Sequence, residues 1–120
     1  MELLQLFYQA GDLEKSLYAV SDKLEEADRL HVKLAAEHDV HIVAASGPAA
    51  TEGGPVNRAR LITPSGQIGV QDKQIMTRFE REEWGVIGGN ALQVFDTTLG
   101  KIGILICYDS EFPLLGRALA

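Results

Sequence analysis

The chain has 120 residues, 46% of them hydrophobic and 23% charged, with a formal net charge of -6. This is the composition of one small globular domain, and residues 1–120 read as a single unit. The acidic balance argues against nucleic acid or an anionic membrane as main partner; no apolar stretch is long enough to span a bilayer, and a single cysteine excludes an internal disulfide.

Met1-Glu2-Leu3-Leu4 lacks the basic lead of a signal peptide, so a cytoplasmic location is expected. Residues 1–10 read as a helix already under way, broken by Gly11-Asp12. Ser21 is a good N-cap, with Glu25 and Glu26 in the early turns. Leu24, Ala27, Leu30, Leu34 and Ala35 then recur at helical spacing up to about His38. His31, His38 and His41 share neither a face nor a ligand spacing, and read as surface or boundary residues rather than a metal site.

His41 to Ser46 is a short buried strand, and Gly47 to Pro55 is a loop. Asn57–Thr63 and Gln67–Gln71, joined by the turn Pro64-Ser65-Gly66, form a β-hairpin with Ala59, Leu61 and Thr63 on one side. Gly53-Gly54 has no Gly-Lys-Ser/Thr continuation, so it is not a phosphate loop. Asp72 to Asn90 is a long polar connection without clear periodicity, of the kind that is functional or disordered. Leu92–Asp96 is a strand, and Thr97-Thr98-Leu99-Gly100 turns back.

Ile102 to Ile106 is an almost unbroken apolar run, read as a strand buried on both faces. The sole cysteine, Cys107, falls where this strand ends and the helix from Pro113 to Ala120 is approached. Ligands and chemistry collect at that rim in α/β sheets, and N–H groups at a helix start favour a thiolate. A lone cysteine after an apolar strand is also compatible with a small core hydrophobe. The element order fits a layered α/β sandwich with a mixed sheet. The chain starts inside one helical pattern and stops inside another, so truncation at both ends is expected, with strand edges and apolar helix faces left open.

Gly103-Ile-Leu-Ile-Cys-Tyr-Asp-Ser-Glu-Phe-Pro113, followed by Arg117, resembles the nucleophile motif of the nitrilase (carbon–nitrogen hydrolase) superfamily. Gln71-Asp-Lys-Gln-Ile-Met-Thr-Arg-Phe-Glu-Arg-Glu-Glu-Trp84 resembles its lysine region and the glutamate loop behind it. Asn57-Arg-Ala-Arg-Leu-Ile-Thr-Pro-Ser-Gly66 is similar to its hairpin with a Pro-Ser-Gly turn. Three motifs in the family's order cover most of the chain. The resemblance implies an αββα fold on dimerisation, a homo-oligomer for the full-length form, and hydrolysis of non-peptide C–N bonds in small amides, nitriles or carbamoyl compounds.

By that resemblance Cys107 is the nucleophile, Lys73 the lysine and Glu80 the second glutamate, with Glu82 in reserve for the last role. Tyr108, through its backbone N–H, together with Trp84 and Asp109, is assigned to the substrate and oxyanion region. An ammonium and a backbone N–H facing a developing oxyanion stabilise its charge. A thioester then forms and is hydrolysed with help from a carboxylate base. This chemistry requires no metal or organic cofactor. The family's general-base glutamate stands in a Pro-Glu stretch that Glu2 and Glu14 do not match, so weak or absent turnover is expected of this chain by itself. Leu114 stands where relatives often keep a glutamate.

Each assignment has a plainer counterpart. Lys73 is compatible with a solvated lysine, Trp84 with packing, and the Arg78–Glu83 charges with a surface ion-pair cluster. Asp109 and Ser110 are compatible with capping the last helix. At the level of function, a non-catalytic binding domain derived from the same fold stands beside the enzyme reading. So does a different cysteine hydrolase with one of the histidines as base.

Overall fold

In a computed structural model of the chain, residues 13–120 are described. The helix read over residues 1–10 and the break at Gly11-Asp12 lie outside them. The first described helix, α1, spans Leu13–Ser21 and buries Ser16, Leu17 and Val20 on the side that packs against the first strand. It was not evident from the sequence. Ser21 therefore does not start a helix. It closes α1, and its hydroxyl accepts the Ala50 N–H at 2.9 Å. Helix α2, Leu24–His38, begins after a turn through Asp22 and Lys23. It ends where Asp39 takes a left-handed conformation (φ 50°) and returns its N–H to Ala35, a conformation that Asp tolerates better than most residues.

Strands β1 (Ile42–Ala49), β2 (Val56–Ile62) and β3 (Ile68–Asp72) form an antiparallel sheet in the order β1-β2-β3. The expected hairpin is β2–β3, with Arg58 opposite Asp72 and Leu61 opposite Gly69. Gly66 adopts φ 83° in its turn and donates to Thr63, a conformation that glycine reaches without steric cost. Strand β1 runs three residues further than expected, through a bulge between Ala44 and Gly47 and past Pro48. Proline is accommodated because β1 is the outer strand of this sheet.

The alternation expected for β2 gives way to burial on both faces. Ala59 and Leu61 pack with Ile104 and Ile106, whereas Ile62 packs with Ala35 and Ala44. So β2 is the middle layer, with α2 on one side and the apolar run before Cys107 on the other. The ion pair Arg60–Asp28 (2.8 Å) ties α2 to the same strand.

Strands β4 (Val94–Thr97) and β5 (Gly100–Gly103) form a second antiparallel pair. The parallel component of the expected mixed sheet is a single bridge between Val56 and Ile87. Strand β5 is shorter than the apolar run: pairing stops at Gly103, yet Ile104 and Ile106 are buried. Burial here comes from packing on β2 rather than from a ladder, and an apolar run alone cannot distinguish the two. After a 3₁₀ turn at Cys107–Glu111, helix α4 (Pro113–Leu119) returns over β5, with Leu119 against Gly103 at a distance that leaves little room for a side chain.

Candidate active site

Lys73 follows the last residue of β3. Its N–H donates to the Asn57 carbonyl at 2.8 Å, one step beyond the β2–β3 ladder. The side chain is 2% exposed, where a charged amine persists only if it is paired. The partner is Glu80: Lys73 Nζ stands 2.6 Å from Oε2 and 2.8 Å from Oε1.

Glu80 is held by a short helix, α3 (Arg78–Glu82), inside the segment expected to lack structure. Thr77 caps it. The Thr77 hydroxyl accepts the Glu80 N–H, while the Thr77 N–H and hydroxyl both donate to Glu80 Oε2 at 2.8 Å. This is a capping box, whose Thr-x-x-Glu signature stands in the sequence at 77–80. Asn57 Nδ2 adds a bond to Oε1 at 3.2 Å. Burial pushes the Glu80 carboxyl up, but the hydrogen bonds from Lys73, Thr77 and Asn57 outweigh it and hold the group below the ordinary glutamate range. Glu82, in contrast, is half-exposed and pairs with Arg78 (2.7 Å) and Arg81 (3.5 Å).

Cys107 is exposed, at the first position of the 3₁₀ turn, with φ 48°. A non-glycine residue in that region costs of order 1–3 kcal/mol, and such strain gathers at functional sites. A strained turn between strand and helix also presents the nucleophile in the Gly-x-Ser-x-Gly hydrolases. The turn is closed by Ser110 Oγ donating to the Cys107 carbonyl at 2.7 Å. Asp109 is 1% exposed. Its carboxylate accepts from the Ile75 N–H at 2.8 Å, from Gln74 at 3.2 and 3.3 Å, and from Ile106 at 3.3 Å. Neither Asp109 nor Ser110 caps α4, whose N-cap position is Phe112.

The fold thus brings Lys73 and Glu80 into contact and ties the Cys107 turn to the segment after Lys73 through Asp109. Tyr108 is partly exposed and stacks edge-on with Phe112 at 5.1 Å. Trp84 is half-buried, edge-on to Phe79 at 5.1 Å. It lines a cleft of about 230 Å³ with Leu17, Tyr18, Pro55, Glu83 and Gly85. That cleft contains neither Lys73 nor Cys107. A second, of about 340 Å³ between β3 and β4, is likewise lined by neither. His31 and His41 are half-buried, His38 is exposed, and His41 Nε2 lies 3.5 Å from Thr98 Oγ1. Among the described residues no cluster of His, Cys, Asp and Glu could hold a metal ion, and no helix is long and apolar enough to cross a membrane.

Sequence reasoning overlooked Asn57, which holds Lys73 by its backbone and Glu80 by its side chain. It also overlooked Asp72, fully buried and hydrogen-bonded by the Asn90 N–H at 3.0 Å. Asn57 lay in the hairpin motif and Asp72 beside Lys73, but only the strand register assigns them partners.

The sequence pattern of the family described as Carbon-nitrogen hydrolase matches residues 6–120. The chain belongs to that family. Relatives of this carbon–nitrogen hydrolase chain include the probable hydrolase YhcX of Bacillus subtilis, 36% identical over 98% of the chain and 23% of the relative. Nitrilase 3 of Arabidopsis thaliana is 36% identical over 78% of the chain and 27% of its own length. The chain therefore spans about a quarter of the length of these two relatives. The crystal structure of XC1258 from Xanthomonas campestris, a CN-hydrolase superfamily protein with an arsenic adduct in its active site, superposes on 73% of the chain and 33% of its own, with a TM-score of 0.65 and 27% identity. The α/β fold and the carbon–nitrogen hydrolase lineage are thus shared.

Proposed function

We propose that this chain carries the nucleophile, lysine and second glutamate of a thiol-dependent hydrolase acting on a small amide, nitrile or carbamoyl compound. The supporting observation is a fully buried ammonium whose next two residues, Gln74 and Ile75, donate their backbone N–H groups to Asp109 in the turn of an exposed, strained cysteine. In an amide, the Cys107 thiolate adds to the carbonyl carbon. Two of the three Lys73 N–H donors go to Glu80, which leaves one for the oxyanion; the Tyr108 N–H is the other donor. The C–N bond breaks, the amine leaves with a proton, and a thioester remains. Water then cleaves the thioester, releasing the carboxylic acid and the thiol. Glu80 is preferred to Glu82 as the second glutamate because it touches the lysine. Arsenic is thiophilic, and Cys107 is the only thiol in this chain, which accords with the adduct in XC1258. A binding-only domain has no need of the strain at Cys107.

No carboxylate of the chain matches the family's general base, and positioned acid–base groups supply roughly 10²–10⁴-fold. The 120-residue chain is therefore expected to turn over small amides and nitriles barely or not at all, while Cys107 remains readily alkylated. An inert thiol in the folded chain would overturn the assignment of the nucleophile. Robust amide hydrolysis lost in Cys107→Ala would overturn the absence of a base.

A further inference from the structure

The nucleophile turn and the lysine segment belong to different layers. Among the described residues no strand ladder joins the β1-β2-β3 sheet to the β4-β5 pair. Where they meet near the candidate site, Ala59 and Leu61 pack against Ile104 and Ile106. Apolar contact is non-directional, so it sets how deep the run lies and not how the turn beyond it is aimed. At the Cys107 turn the directional contacts across this seam come from Asp109, which reaches 35 and 34 residues back to the N–H groups of Gln74 and Ile75; the bond from the Gln93 N–H to Gln71 Oε1 (2.9 Å) crosses it at the start of β4.

A carboxylate removed from water is stable only where donors surround it. Among the described residues no lysine or arginine forms an ion pair with Asp109. Its donors are backbone N–H groups. Those of Gln74 and Ile75 are consecutive and converge on one anion, as in the backbone nests that bind anions elsewhere. The third, from Ile106, belongs to the residue just before Cys107. The backbone of Asp109 also carries both ends of the turn, donating to the Ile106 carbonyl at 3.1 Å and accepting from Phe112 at 3.2 Å. One residue therefore grips the chain immediately after Lys73 and immediately before Cys107.

We propose that Asp109 is a positioning residue whose carboxylate seats the Cys107 turn against the backbone leading out of Lys73, and so sets the reactivity of the thiol. This rests on the reading of Cys107 and Lys73 above. It moves Asp109 from the substrate region to the framework, because its buried carboxylate is already engaged by three backbone N–H groups. Asparagine cannot replace it: one terminal atom of an amide is a donor and would face an N–H.

The test is the pH profile of Cys107 alkylation by iodoacetamide in the purified 120-residue chain. Wild type is compared with Asp109→Asn, with Lys73→Met/Glu80→Gln, which removes both charges of the buried pair, and with the triple variant. The pair variant is expected to slow alkylation at pH 7 by about tenfold through loss of the ammonium. Asp109→Asn, folded by circular dichroism, is expected to move the profile in the same direction, and the triple variant to match the pair variant. Such non-additivity marks two groups acting through one path, and a merely structural role for Asp109 would not produce it. A wild-type profile in folded Asp109→Asn overturns the proposal while leaving the lysine–cysteine reading intact. An unchanged profile in the pair variant overturns that reading itself. Should Asp109→Asn not fold, hydrogen exchange in the wild-type chain decides: Gln74 and Ile75 amides slowed by roughly 100-fold or more support the tie, and exchange at open-loop rates overturns it.

Discussion

Arg58 and Asp72 meet side by side across the β2–β3 ladder, with Nε–Oδ1 at 2.6 Å and Nη2–Oδ2 at 3.0 Å. Parallel fork-to-carboxylate bonds of this kind are the strongest ion pairs a protein makes. Asp72 is buried, and its second oxygen also takes the Asn90 N–H. The pair therefore anchors the end of β3 one residue before Lys73. Arg58→Met is expected to destabilise the chain by about 3 kcal/mol, the low end for breaking a buried pair, because the arginine side chain is 23% exposed. Urea unfolding of Arg58→Met, Asp72→Asn and the double variant measures the coupling. A coupling under about 0.5 kcal/mol would mean the pair is ornamental.

Stability should fall in acid, and Glu80 should account for part of the fall. Burial works to raise both Glu80 and Asp72, yet hydrogen bonds from Lys73, Thr77 and Asn57 in one case, and from Arg58 and Asn90 in the other, hold both below the ordinary range. In the unfolded chain these groups take up protons near the usual values of about 4. The unfolded state thus binds protons first as pH drops. The stabilisation is complete above about pH 5 and is lost as pH falls through the depressed folded values. In Glu80→Gln the fall should be shallower. Its stability at neutral pH should also be lower, because Lys73 loses its buried counter-charge. Urea midpoints taken from pH 7 down to pH 3 test both statements. A wild-type midpoint that does not move, or an equal slope in Glu80→Gln, contradicts them.

The legibility of this fold in its sequence follows physical lines. The β2–β3 hairpin was readable because its signal is local, with alternating strands and a glycine where φ must be positive. The contrast between Glu80 and Glu82 was not, since it depends on which carboxylate faces a lysine seven residues upstream. The capping box at Thr77 and Glu80 is local and could have been read, but the charges around it masked a helix of only five residues. Burial of both faces of β2 was hidden because its second cover, Ile104 and Ile106, comes from more than forty residues away. The strain at Cys107 leaves no mark in composition at all. A left-handed position usually advertises itself with glycine or asparagine, and here a cysteine holds the position instead.

That last point yields a prediction opposite to the usual ranking of residues. Cys107 is exposed, so truncating it leaves no cavity, and its φ of 48° penalises any side chain. Cys107→Gly should therefore be more stable than Cys107→Ala, by about 1 kcal/mol. In a chain of this size that separates the two melting temperatures by roughly 4 °C. Ser110, in the same turn without a positive φ, is the internal control: there alanine should match or exceed glycine. Thermal melts of the four variants are sufficient. If alanine equals or exceeds glycine at both positions, the backbone at Cys107 carries no strain, and the turn gives no reason to single out this sulfur over a buried core thiol. If the order inverts only at 107, the protein holds, at its sole cysteine, a residue that its own backbone disfavours.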